Sequence, residues 1–108
     1  MMIINGNKVV LNNKEFVFEN NILEAIEFES KLIVVFDINK IDNVFCYSLN
    51  LELLWKMDSS QIKNVGTEKE PCIGVRLIDG KCVAFDFSGR RYIINIANGK
   101  VEEGETFR

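Results

Sequence analysis

Apolar and polar positions alternate with a period of two over much of the chain. Val44, Cys46 and Ser48 interleave with Phe45, Tyr47 and Leu49, and Cys82, Ala84 and Asp86 interleave with Val83, Phe85 and Phe87. That period sends successive side chains to opposite faces of an extended strand. β-Branched and aromatic residues, which suit a pleated and half-buried surface, fill residues 3–4, 9–11, 16–18, 32–36, 44–47, 53–55, 72–78, 81–87 and 92–96. Asn5-Gly6, Asp79-Gly80, Ser88-Gly89 and Asn98-Gly99 stand at or between these runs and accept the positive φ of tight hairpins. Connections this short oblige neighbouring strands to run antiparallel. The pattern predicts an all-β antiparallel meander of about eight to ten strands with at most one short helix.

Two segments are ambiguous. Residues 21–29 fit a short helix with Ile22, Leu23 and Ile26 inward, or a strand with Ile22, Ile26 and Phe28 on one face; strand is preferred. Residues 58–70 are polar and precede Pro71, which disfavours helix before it, so they read as a long loop. Residues 43–50 align with 81–88 at an offset of 38, each unit a strand, hairpin and strand. That spacing is close to that of a propeller blade, yet the chain is too short to close a ring. A compact pair of sheets is the expected architecture. A single curved sheet, or a propeller fragment that closes by self-assembly, are the alternatives.

Composition bounds the rest. With 108 residues, 47% hydrophobic, the chain fits one domain over 1–108 with one core. Eight Phe, a single Pro and 27% charged residues separate it from disordered chains. Phe36, Val44, Cys46, Leu54, Trp55, Val75, Val83, Phe85, Ile94 and Ile96 are the expected core. Trp55 reads as a core anchor ahead of an exposed hot spot. Residues 1–11 carry Asn5-Gly6-Asn7-Lys8 in their middle, unlike a secretory leader, and the longest apolar run, 32–36, is far too short to span a bilayer. A cytoplasmic protein without membrane contact is expected, and Cys46, Cys72 and Cys82 then read as reduced core thiols, with no C-x-x-C spacing among them.

The chemistry available to such a chain is narrow. It has no histidine, which removes the commonest general base and most zinc and iron ligand sets. Its carboxylates are scattered singly, and its glycines never form a phosphate-binding loop. No catalytic residue, cofactor or metal is expected. The formal charge is −3, and Arg90-Arg91 is the one tight basic pair, so nucleic acid is a poor ligand. Residues 1–54 carry eight acids against four lysines. An acidic half is either a solvated sheet face that discourages aggregation or a surface that steers towards a basic partner.

Residues 43–49 followed by Leu53-Leu54-Trp55-Lys56 resemble the blade hairpins of quinoprotein-like β-propellers. They are also similar to small stand-alone bacterial immunity proteins of polymorphic toxins, including those of contact-dependent growth inhibition systems. Residues 74–81, 84–89, 92–96 and 98–101 extend the second resemblance, which covers roughly residues 32–103. Leu51 departs from it where the first hairpin would carry Gly, and Phe87 where a Trp is expected. The resemblance implies a monomeric, non-enzymatic domain that neutralises a cognate toxin domain, often a nuclease with a positive cleft. The acids Glu24, Glu27, Glu29, Asp37 and Asp42, with the 58–70 loop, are then the expected partner face. The competing expectation is a propeller-like module that self-assembles or docks to a larger protein.

Overall fold

The computed structural model describes residues 2–60 and 70–106, and among them every regular element is a strand. In chain order these are β1 (Met2–Asn5), β2 (Lys8–Leu11), β3 (Lys14–Val17), β4 (Ile22–Phe28), β5 (Lys31–Phe36), β6 (Val44–Ser48), β7 (Leu53–Lys56), β8 (Cys72–Ile78), β9 (Lys81–Asp86), β10 (Arg90–Ile94) and β11 (Val101–Thr106). All sheet pairings are antiparallel, and each sheet is a run of consecutive strands: β1-β2-β3, β4-β5-β6-β7 and β8-β9-β10-β11. The expected all-β meander is therefore present, with an eleventh strand that the pattern did not mark. The strands divide among three sheets where a curved sheet or a pair was expected.

The uninterrupted apolar run in β5 explains the third layer. Ile33 and Val35 pack with Cys72, Val75, Cys82 and Ala84 of the third sheet, while Leu32, Val34 and Phe36 pack with Val9, Leu11 and Phe16 of the first. A strand apolar on both faces needs a sheet on each side. The first strands of the sheets adjoin, β1 against β4 and β4 against β8, as they do in adjacent propeller blades. The repeating unit thus runs from β4 to β8 and from β5 to β9, an offset of 50 residues. The offset of 38 aligns β6 with β9, strands in different positions of their sheets.

Tight hairpins set the registers. Asn12 and Asn13, Glu29 and Ser30, and Asp79 and Gly80 all have positive φ, the conformation of a two-residue turn that follows the strand twist. Leu51 takes φ +64 in the β6–β7 connection, so the left-handed conformation is kept although the expected glycine is missing. A register shift at the start of β4 puts Ile22 with Ala25 against the first sheet and Ile26 and Phe28 against the third, so Ile22 does not share their face. Another shift in β7 pairs Trp55 with Cys46 and Leu53 with Tyr47, leaving Leu54 unpaired and 46% exposed instead of buried. Most of the 58–70 loop, residues 61–69, lies outside the described residues.

Polar groups join the second sheet to the third. Asn43 is fully buried; its amide nitrogen donates to the carbonyls of Phe36 (2.9 Å) and Cys72 (2.7 Å), and its side-chain oxygen accepts from the Cys72 N–H (2.8 Å). One side chain therefore makes the two-way exchange that a strand backbone would make. Trp55 is buried and donates its indole N–H to the Ile96 carbonyl at 2.6 Å. Asp58 then bridges to Lys100, its N–H donating to Gly99 O and its carbonyl accepting from Val101 N, both at 2.9 Å. Gly99 is required here: its φ is +81, and a Cβ would lie 2.6 Å from the Trp55 ring.

Asn43→Ala leaves the buried N–H and carbonyl of Cys72 without the partners Asn43 gives them, and its expected cost is about 2–4 kcal/mol, read as a lower urea midpoint with an unchanged slope. Leu51→Gly removes the left-handed penalty and is expected to raise stability by up to about 1 kcal/mol in the same assay.

Candidate functional site

The predicted acidic face is dispersed. Glu24 is partly buried and accepts the Val75 N–H at 3.0 Å, tying β4 to β8. Asp42 accepts from the Ser59 hydroxyl at 2.6 Å. Glu27 and Glu29 are exposed towards the β4–β5 turn, and Asp37 is exposed at the other end of that hairpin, where its N–H donates to Asn21 O. Of the five acids, Asp37 alone lines a groove at that end of the hairpin.

That groove, of about 310 Å³, opens where β4 and β8 begin and β5 and β9 end, with Asn43 and Cys72 among its lining residues. Leu23, Ile73 and Phe87 line it and are 43%, 41% and 83% exposed. Leu23 and Ile73 occupy the same place in successive sheets, each at a register shift. A bulge adds one residue to a strand and re-aims its side chain. The same distortion, made twice, turns one apolar residue outward from each sheet. Asp37 and Glu70 supply carboxylates beside them.

Phe87 is held out by the turn that follows β9. Asp86 is buried, and its carboxylate accepts the Arg90 N–H at 2.9 Å, while its carbonyl accepts the Gly89 N–H at 3.1 Å. Arg90 donates to the Tyr92 hydroxyl at 3.3 Å, which raises the guanidinium pKa, and burial raises that of the Tyr92 phenol. Ser88 donates to Glu70, anchoring the turn to the residue that leads into Pro71. The aromatic position was legible in the sequence as an aromatic swap; its exposure depends on this buried network and was not.

Three free cysteines are buried in the core between the second and third sheets. Burial pushes the Cys46 thiol up to about 11 and those of Cys72 and Cys82 up to about 12. Thiols so far from ionisation at neutral pH are poor nucleophiles. Among the described residues no three Cys, Asp or Glu side chains are grouped to hold a metal ion, and no helix is long and apolar enough to cross a membrane.

The architecture is that of stacked antiparallel sheets of propeller-blade type, with an exposed apolar groove and carboxylates at one end. Residues 1–106 match the model of the family described as Domain of unknown function (DUF7957), and the chain belongs to that family. No curated protein matches the sequence.

The folded state holds its thiols neutral while the unfolded state ionises them from pH 9 upward, so stability is complete below about pH 9 and falls between about pH 9 and 12. Urea midpoints measured from pH 8 to 11 are expected to decline over that window. An aromatic disulfide reagent at pH 8 is expected to label the cysteines only after denaturation.

Proposed function

We propose that this chain is a non-enzymatic protein-binding domain of the immunity type, which neutralises a cognate toxin domain in the bacterial cytoplasm by occupying a basic cleft. The observation that carries the reading is Phe87, 83% exposed between two apolar residues turned outward at bulges and beside Asp37 and Glu70. An aromatic anchor in an apolar centre with charge at its margin is the composition of an interface hot spot. The carboxylates select a positive partner and speed encounter, as a nuclease cleft built to hold phosphate would require. Strands set the positions of Leu23 and Ile73, so little ordering entropy opposes binding.

A second reading, a module that self-assembles or docks to a larger propeller-like protein, has one observation in its favour. The end sheets of the stack are covered on one face only, leaving Ile3 and Val17 of the first sheet 53% and 59% exposed and Ile78 of the third 38% exposed. Light scattering separates the two, since the immunity reading expects a monomer.

The decisive test is co-expression with a toxin domain from a neighbouring gene, scored as rescue of growth. Phe87→Ala is expected to weaken binding about 10- to 100-fold while the urea midpoint moves by less than about 0.5 kcal/mol, because the ring makes no core contact. Asp37→Lys is expected to slow association at low salt and much less at high salt. Full rescue and unchanged binding by both variants would sink the assignment of this groove.

A further inference from the structure

Among the described residues the first sheet has three strands where the second and third have four, and its open edge is β3. Because the Phe18 N–H donates to Asn7 O, the residues in step with Phe18, namely Phe16 and Lys14, direct their backbone groups to β2. Glu15 and Val17 therefore direct theirs to the open edge. Across from the vacant fourth position, β6 and β7 carry the cross-strand pairs Phe45–Lys56 and Tyr47–Leu53, and Leu53 is 56% exposed.

A groove of about 480 Å³ lies there, lined by Phe18, Phe36, Phe45 and Tyr47. Phe18 stands 5.0 Å from Tyr47 and 5.4 Å from Phe36, and Phe36 stands 5.3 Å from Phe45, so the aromatic wall is continuous. Leu51, the residue held at φ +64, lines the same groove. Two cations, Lys40 and Lys56, line it against the single carboxylate of Glu19, and the Lys56 ammonium is 5.7 Å from the Phe45 ring centre.

We infer that this edge and groove accept an extended, acid-bearing segment of a partner protein as the fourth strand of the first sheet. The segment pairs its backbone with Glu15 and Val17, lays alternate apolar side chains on the aromatic wall, and brings a carboxylate to Lys40 and Lys56. Strand addition of this kind draws affinity from main-chain hydrogen bonds and specificity from alternate side chains. The charge balance narrows the occupant. Pairing with β3 of a second copy would set Lys14 beside Glu15 and bring no net negative charge. The surface is separate from the groove at Phe87 and does not depend on that assignment.

The test uses the whole chain and an acetylated, amidated octapeptide of alternating valine and threonine ending in two glutamates, with a version ending in two lysines as control. Saturable binding is expected, about tenfold tighter for the glutamate peptide, with amide exchange of Glu15 and Val17 slowed about tenfold at saturation. Val17→Pro removes an N–H that has no partner within the sheet, and Leu53→Asp places a like charge on an exposed position; each is expected to weaken binding about tenfold or more. Peptide binding that leaves the Glu15 and Val17 amides unprotected, or that persists in both variants, would overturn the inference. So would the absence of saturable binding. A dimer of the free chain that Val17→Pro dissociates would assign the edge to a second copy and overturn the hetero-partner.

Discussion

The fold depends on one constraint, that β5 is apolar on both of its faces. Lys31 aside, every residue of the strand is buried, and the two sets of side chains belong to different clusters. Water must be excluded from both sides of the second sheet, and nothing in a 108-residue meander can do that except the strands before and after it. Once those are folded over, each end sheet has one face in the core and one outside. Their shorter apolar runs and looser alternation suit that position.

The sequence showed the strands more clearly than their stacking. Period-two alternation located β6 and β9, and turn chemistry located the Asp79-Gly80 hairpin. Residues 32–36 already held the signal for a third layer, since a continuous apolar run in a strand asks for cover on both faces. The repeat was obscured because β4 and β8 share their bulge, their length and their turn spacing more than their residues: Glu24 stands where the third sheet has Gly74. Leu54 was misplaced because a bulge shifts the alternation by one, and no residue type signals that shift. Glu29 and Ser30 form a tight turn without glycine or asparagine, again beyond composition.

Of the candidate site, charge was legible and geometry was not. Counting acids marked the first half of the chain as negative, but a count cannot distinguish Glu24, engaged with the Val75 backbone, from Asp37, free to face a groove. The apolar members Leu23, Ile73 and Phe87 look like strand and turn residues in sequence. Their exposure comes from backbone irregularities and a buried Asp86–Arg90–Tyr92 network, which are relations across space. The polar network spends its hydrogen bonds on orientation: it holds a turn still so that an aromatic side chain is available in one place.

Because every sheet is closed by hairpins between sequence neighbours, the contacts within a sheet are local and those between sheets are few in kind. Such a molecule is nearly one-dimensional, with cooperativity carried only by the two stacking interfaces. The two interfaces are unequal. Asn43, Trp55 and the Asp58 bridge bolt the second sheet to the third, the first two through buried side chains. The first sheet is held by apolar contact and two hydrogen bonds, Ile22 N–H to Gly6 O and the exposed Lys14 Nζ to Leu49 O. Sub-global opening will therefore begin at the first sheet, before the rest of the molecule yields. The layer with the vacant strand position is thus also the layer with the smallest reserve of stability. An added strand would shift that local equilibrium by mass action, making occupancy and order of the first sheet one and the same event.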